Sequence, residues 1–93
     1  MKGKGRFIIA TRTKNINEHK AAQQYAFNHG FLWRANSDSF EDHRDKYDEN
    51  IWYRCDANVG WLYYCCESFY KDSNEYKDYK VVYVTNNTLM ETE

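Results

Sequence analysis

The chain has 93 residues, of which 42% are hydrophobic and 18% aromatic, and 13 Lys and Arg against 14 Asp and Glu leave a formal net charge of −1. A chain of this length forms one small domain and buries only about 60–65% of the surface that its unfolded form exposes, which excludes a two-domain enzyme. The balanced charge argues against a dedicated duplex-DNA binder and against an acidic DNA mimic. The 3 Trp, 9 Tyr and 5 Phe residues argue against disorder.

The first predicted element is a strand. Residues 1–5 are polar and contain glycine, which predicts a flexible lead-in. The apolar run Phe7-Ile8-Ile9, followed by small and β-branched residues, predicts a strand over residues 6–13.

A helix follows this strand. Asn15, with Glu18 three residues later, has the spacing of a capping box and predicts the N-terminus of the helix. Gly30 suits the left-handed position that ends a helix, and Phe31 closes a hydrophobic contact over the last turn. The predicted buried face consists of Ala22, Tyr25, Ala26 and His29.

The residues after the helix predict a second strand over 31–34 and then a long connection. Residues 36–50 are strongly polar, with six acidic residues against Arg44 and Lys46. This length is above the usual range for a connection in a small domain, so the stretch is either a mobile functional loop or contains a helical turn near residues 40–44. We favour an exposed loop.

An antiparallel hairpin is predicted next. Residues 51–55 and 61–66 are rich in aromatic and β-branched residues, and the Asp, Asn and Gly residues of 56–60 between them suit a turn. Both faces of this hairpin are apolar or aromatic, so the pattern leaves open which face meets the helix.

The last part of the chain completes the sheet. Residues 68–80 predict a loop or a single helical turn pinned by aromatic residues, 81–85 a last strand, and 86–93 a polar tail. The expected fold is therefore a single α+β domain over residues 6–85. We expect an antiparallel or mixed sheet of about four to five strands in the order β-α-β-β-β-β, with one helix packed on one face.

The sequence predicts a cytoplasmic protein with reduced thiols. The apolar run Phe7–Ala10 is too short for a signal peptide, and no stretch approaches the roughly 18 apolar residues of a membrane span. The three cysteines, Cys55, Cys65 and Cys66, are an odd number, and adjacent residues of a strand point to opposite faces. We interpret them as buried free thiols.

No motif for catalysis or metal binding is present. The cysteines and the three histidines, His19, His29 and His43, form neither a CxxC pair nor an HxxxH pair, which argues against zinc. No local signature supports a Cys-His nucleophile, and the acidic residues of 38–49 lack the order of a calcium loop and mix with basic ones. We expect neither enzymatic activity nor a metal or cofactor.

The aromatic residues are the most distinctive feature of the chain. A two-layer domain with one helix buries only one sheet face, so the other face should expose aromatic rings beside arginines. Such a surface can stack nucleobases, but Tyr, Trp and Arg are also enriched at protein–protein hot spots. Without an RNP-type pattern or a basic excess, we favour a protein partner, or self-association as a homodimer, over nucleic acid. The predicted binding residues are Trp33, Arg34, Trp52, Arg54, Trp61 and Tyr63.

The helix end Gly30-Phe31-Leu32-Trp33, followed by the aromatic strands, resembles a class of small tailed-bacteriophage accessory proteins. Those proteins often have a helix that ends in a Gly-aromatic-x-Trp motif and continues into an aromatic β-meander. The resemblance spans about residues 6–85 and implies a protein that acts in the host cytoplasm by blocking a host protein or sequestering a defence signal. No catalytic residues carry over from it.

Two functions therefore follow as hypotheses. The first is a non-enzymatic, phage-encoded binding module that inhibits a host protein, such as a defence protein, through the aromatic sheet face. The alternative is a nucleotide- or single-stranded-nucleic-acid-binding protein that stacks bases on Trp or Tyr, for example to sequester a signalling nucleotide, with Arg34, Arg54 or Lys80 on phosphate.

Overall fold

The computed structural model describes the backbone of residues 5–85 and 88–91 and the side chains of residues 5–83. Its elements in chain order are β1 (Arg6–Ala10), α1 (Ile16–Asn28), β2 (Ile51–Asp56), β3 (Leu62–Cys66), α2 (Glu67–Asp72), a 3-10 turn (Asn74–Tyr76), β4 (Lys80–Thr85) and β5 (Thr88–Glu91). The strands form one sheet in the order β3-β2-β1-β4-β5. Only β1 and β4 pair in parallel, so the sheet is mixed and the predicted α+β class is confirmed.

The N-terminus of α1 lies where the sequence predicts it, but its capping differs in detail. The Asn15 side chain accepts a hydrogen bond from the backbone N–H of Asn17 at 2.8 Å. The Glu18 carboxylate does not close a capping box, because it accepts from the backbone N–H groups of Arg12 (3.2 Å) and Thr13 (2.8 Å). Glu18 therefore fixes the turn that leads from β1 into the helix.

The C-terminus of α1 is a Schellman motif. Gly30 has a φ of 90°. Its N–H donates to the Phe27 carbonyl at 3.0 Å, and the Phe31 N–H donates to the Ala26 carbonyl at 3.0 Å. These are the two bonds of the motif, and Phe31 is fully buried beyond them, so the predicted left-handed cap is confirmed.

Replacement of Gly30 by valine tests this cap. A β-branched side chain is strained at positive φ, so Gly30→Val is expected to lower the free energy of unfolding by about 1 kcal/mol or more. Urea denaturation at 25 °C measures the change. The control Gln24→Val lies on the exposed side of α1 and loses only about 0.5 kcal/mol of helix propensity. Equal effects of the two substitutions would contradict the strained cap.

The first predicted strand is three residues too long. β1 ends at Ala10, because the next residues turn to other partners. The Thr11 hydroxyl donates to the Ile51 carbonyl at 2.8 Å, and the amides of residues 12 and 13 bind the Glu18 carboxylate. These side-chain contacts replace the ladder bonds that would extend the strand.

The predicted strand over 31–34 is wrong. Leu32 forms an isolated parallel bridge with Trp61, and Trp33 forms an isolated bridge with Ser37. The chain then turns through residues 34–36, where Asn36 has a φ of 60°. The predicted order β-α-β-β-β-β is thereby corrected to β-α-β-β-α-β-β, because this segment stays outside the sheet and strand β5 is added.

The hairpin of β2 and β3 is confirmed, and its register shows which face meets α1. Tyr53 lies opposite Tyr64 and Cys55 opposite Leu62. These side chains share a face with Ile51. On that face the core also contains Phe7, Ile9, Ala22, Ala26, Phe31, Trp33 and Val82.

The second face of the sheet is covered by the chain itself. The segment 67–79, predicted as a loop or a single helical turn, forms α2 and the 3-10 turn. Tyr70, Tyr76 and Tyr79 are buried in a second cluster with Ile8, Ala10 and Trp52. The prediction of an open aromatic face is therefore wrong, because three tyrosines that follow the hairpin in sequence fold back onto it.

Parts of the predicted termini lie outside the described residues. These are 1–4 of the lead-in and 86–87 and 92–93 of the tail. Residues 88–91, which the sequence assigns to the tail, pair with β4 as strand β5. Among the described residues, no helix is both long and apolar enough to cross a bilayer.

Candidate functional site

A surface cleft of about 310 Å³ lies between the turn that follows α1 and strand β3. This volume is at the lower end of the range for ligand sites, so it suits one side chain or a small ring. We call it the Trp33 cleft. It is lined by Trp33, Arg34, Ala35, Glu41, Leu62, Tyr63 and Tyr64.

A packed group of aromatic rings forms one wall of the cleft. The His43 ring stacks on the Tyr64 ring with centroids 3.8 Å apart and an angle of 7° between the planes. Trp33, only 6% exposed, meets His43 edge to face at 5.5 Å and Tyr64 at 6.3 Å. Stacked and edge-to-face contacts of this kind hold the rings in place, so the wall is preorganised.

The polar 36–50 segment is a loop, as predicted, but it is held by specific contacts. The Gln23 side-chain amide donates to the Glu41 carbonyl at 2.6 Å and accepts from the Glu41 N–H at 2.9 Å. The Lys14 ammonium group donates to three backbone carbonyls, those of Arg44 (2.7 Å), Tyr47 (3.1 Å) and Glu49 (2.9 Å). Charge-assisted bonds of this type are stronger than neutral ones, and here they fix the loop that brings His43 to the cleft.

A buried polar network lies beneath this wall. His19 Nε2 is 2.9 Å from the Thr13 carbonyl, which only accepts, so Nε2 carries the proton. Nδ1, 2.8 Å from the Tyr53 hydroxyl, then accepts from that group, and Gln23 donates to the same hydroxyl at 3.3 Å. Burial lowers the pKa of His19 and raises the pKa of Tyr53, which keeps both groups neutral.

The charged side chains near the cleft differ in whether they form ion pairs. The Glu41 carboxylate contacts His43 Nε2 at 3.0 Å. Nearby, the Arg44 guanidinium binds Asp42 at 2.8 Å and holds the pKa of that carboxyl well below its usual range. Arg34 is exposed and forms no ion pair with any residue that the structure describes. Arg34 and Glu41 therefore place opposite charges at the cleft.

The structure brings together three of the predicted binding residues. Trp33, Arg34 and Tyr63 line the cleft, and half-buried Trp61 bridges to Leu32, next to it. The remaining two, Trp52 and Arg54, do not line the cleft.

Those two residues have structural contacts. Trp52 is 6% exposed and donates its indole N–H to the Thr11 carbonyl at 3.1 Å. Arg54 lies 4.4 Å from the centroid of the Tyr63 ring and donates to the Tyr76 hydroxyl at 2.9 Å.

The sequence analysis did not predict the lining residues Glu41 and Tyr64, nor His43, which stacks on Tyr64. Tyr64 belongs to the aromatic strand that the sequence predicts, and only the register of the hairpin selects it. Glu41 and His43 lie in a loop whose mixed charges are typical of a solvated surface. Their placement depends on contacts with helix α1 and strand β3, which no local pattern shows.

Cys55 and Cys65 lack the lowered pKa of an activated nucleophile. Burial raises the pKa of both Cys55 and Cys65, so the neutral thiol prevails, whereas a catalytic cysteine needs a lowered pKa. Among the described residues, no three His, Cys, Asp or Glu side chains are placed to hold a metal ion.

No protein-family model, curated protein or solved structure matches the chain.

Proposed function

We propose that the protein is a non-enzymatic binding module that engages a protein partner at the Trp33 cleft. The observation that carries this proposal is the combination of a fixed aromatic wall with the exposed Arg34, which forms no ion pair with the described residues. Trp, Tyr and Arg are the residues most enriched at hot spots of protein interfaces, and such hot spots fill preformed pockets. A side chain of the partner that enters a cleft of about 310 Å³ supplies the matching anchor.

We further propose that the partner is a host protein in the cytoplasm of a phage-infected cell, and that occupation of the cleft blocks its activity. The resemblance to small tailed-bacteriophage accessory proteins rests on Gly30 to Trp33, and these residues have a direct role in the site. Gly30 ends the helix in the left-handed cap, and the chain then delivers Trp33 to the cleft.

The alternative is a cleft that stacks a nucleobase, and its size and aromatic lining support this reading. The charge distribution favours it less. Glu41 lines the same cleft as Arg34, Arg54 lies on the second face, and Lys80 lines a separate cleft of about 220 Å³ beside β1. Of the candidate cations for phosphate, Arg34, Arg54 and Lys80, the cleft is lined by Arg34 alone.

Charge reversal at Arg34 tests the proposal. Tagged wild-type protein, Arg34→Glu and Lys77→Glu are used to capture partners from bacterial lysate, with and without nuclease, followed by quantitative mass spectrometry. Lys77 is an exposed residue after the 3-10 turn that does not line the cleft, so it gives a control with the same charge change. We expect a nuclease-resistant protein whose recovery falls at least about tenfold with Arg34→Glu and not with Lys77→Glu, as for loss of a hot-spot residue.

Two results would contradict the proposal. Equal recovery with all three baits would show that the cleft is not the interface. Recovery of a nucleotide or of nuclease-sensitive material alone would support the stacking alternative.

A further inference from the structure

Strand β3 is an edge of the sheet, and its backbone groups alternate between two directions. The N–H of Glu67, directly after β3, donates to the Asn50 carbonyl at 2.9 Å. The backbone N–H and C=O groups of the odd-numbered residues of β3 therefore point towards β2. The N–H of Leu62 donates to the Leu32 carbonyl at 2.8 Å, so even-numbered residues face outward. This alternation follows from the two-residue period of a strand.

Beyond Leu62 the outward edge is bare. By this alternation the N–H and C=O of Tyr64 and the N–H of Cys66 point away from the sheet, and they form no hydrogen bond with another backbone group of the described residues. The Cys66 N–H lies against the Cys65 thiol. Proteins usually protect such an edge with lysine, proline or an inward charge. The sequence of β3, LYYCC, contains none of these. An unprotected strand edge is a template for pairing with another chain, and this edge lies beside the aromatic cleft.

We propose that an extended segment of the partner adds as a further strand to the β3 edge at residues 64–66; this inference rests on the proposed function. One apolar side chain of that segment enters the Trp33 cleft, and an acidic side chain faces Arg34. An extended polypeptide is the ligand whose donors and acceptors match a row of outward backbone groups. The chain itself uses this mode, because Leu32 already pairs with the start of the same edge.

The charges at the site define the chemistry of the partner segment. Arg34 is the exposed cation without an ion pair among the described residues, whereas Glu41 contacts His43. A carboxylate on the partner segment therefore pairs with Arg34 and lies away from the Glu41 carboxylate.

Peptides selected from a randomised library test this inference. Linear 12-residue peptides are selected for binding to the full chain, and their Kd is measured for wild type, Arg34→Glu and Lys77→Glu. Backbone amide exchange is then measured by NMR with and without saturating peptide. We expect extended, acidic peptides that bind at least about tenfold more weakly to Arg34→Glu, with exchange at Tyr64 and Cys66 slowed at least about tenfold. Tyr63 and Cys65 are the internal controls, because their amides face β2 and are protected before binding.

The outcomes separate this inference from the proposed function. Binding that needs Arg34 but leaves the Tyr64 and Cys66 amides unprotected would overturn strand addition and leave the cleft as the interface. Absence of any peptide that discriminates Arg34→Glu from Lys77→Glu would overturn both. Protection of the Tyr64 amide that rises with protein concentration, without peptide, would overturn the partner segment in favour of a second copy.

Discussion

Replacement of Trp52 by alanine is expected to lower the free energy of unfolding by about 3–5 kcal/mol, the usual range for a buried Trp reduced to Ala. Trp52 is 6% exposed, packs in the second core cluster with Ile8 and Tyr70, and donates its indole N–H to the Thr11 carbonyl. Domains of this size have about 5–15 kcal/mol of stability in total, so the variant retains little of it. Urea denaturation followed by circular dichroism at 25 °C measures the loss.

The matched control for this substitution is Phe69→Ala. Phe69 lies on α2, touches Tyr70 at 5.3 Å between ring centroids, and is 48% exposed, so its removal is expected to cost about 1 kcal/mol or less. If Trp52→Ala costs no more than Phe69→Ala, then α2 does not cover the second face. The consequence for binding studies is direct: a loss of binding in Trp52→Ala reports unfolding, whereas Arg34→Glu changes an exposed side chain.

The elements that the sequence predicts correctly are those with local signals. Asn15 and Gly30 mark the ends of α1 through contacts within a few residues, and both are found where expected. The hairpin follows from two aromatic runs around a short turn, and the run 81–85 forms β4 with one residue added at its start. Each of these depends on interactions between neighbours in the chain.

The elements that the sequence misses depend on distant partners. Phe31 to Trp33 has the composition of a strand, but its contact with the hairpin is limited to the Leu32–Trp61 bridge, because the chain turns through residues 34–36. The packing of Tyr70 and Tyr76 on the second face cannot be predicted from the sequence, because both faces of the hairpin are apolar. Aromatic composition therefore predicts how much surface is buried and leaves open which layer covers it.

The residues of the site also separate into those that the sequence predicts and those that depend on distant contacts. Trp33, Arg34 and Tyr63 are recognisable as binding residues by type, and the structure places them at one cleft. His43 cannot be found from the sequence, because its stacking on Tyr64 depends on the bonds from Gln23 and Lys14 that hold the loop. A sequence of mixed charge is typical both of a solvated loop and of a loop held by specific contacts, so it does not distinguish them.

Acidification below about pH 6.5 is expected to destabilise the protein through His19. Burial lowers the pKa of His19 below its usual value, and the Arg44 charge acts in the same direction, whereas the hydrogen bond to Thr13 and the charges of Glu18 and Asp42 oppose it. The unfolded chain therefore takes up a proton near pH 6.5 that the folded protein does not. The stabilisation is fully present above that pH and is lost as the pH falls towards the folded pKa, by at most about 1.4 kcal/mol per pH unit.

The hydrogen bond between His19 and Tyr53 also predicts that acidification destabilises the folded protein. Protonation would place an N–H on Nδ1 against the Tyr53 hydroxyl, which now donates to that nitrogen at 2.8 Å. Urea denaturation between about pH 5.5 and 7.5 measures the slope, because carboxyl groups with reference pKa values of about 4 are mostly ionised in this range. His19→Gln should flatten it, and His29→Gln, at the exposed end of α1, is the matched control. An NMR titration of the wild-type His19 ring gives a check without substitution, and a ring that is protonated in the folded protein at pH 6.5 would refute the buried neutral histidine.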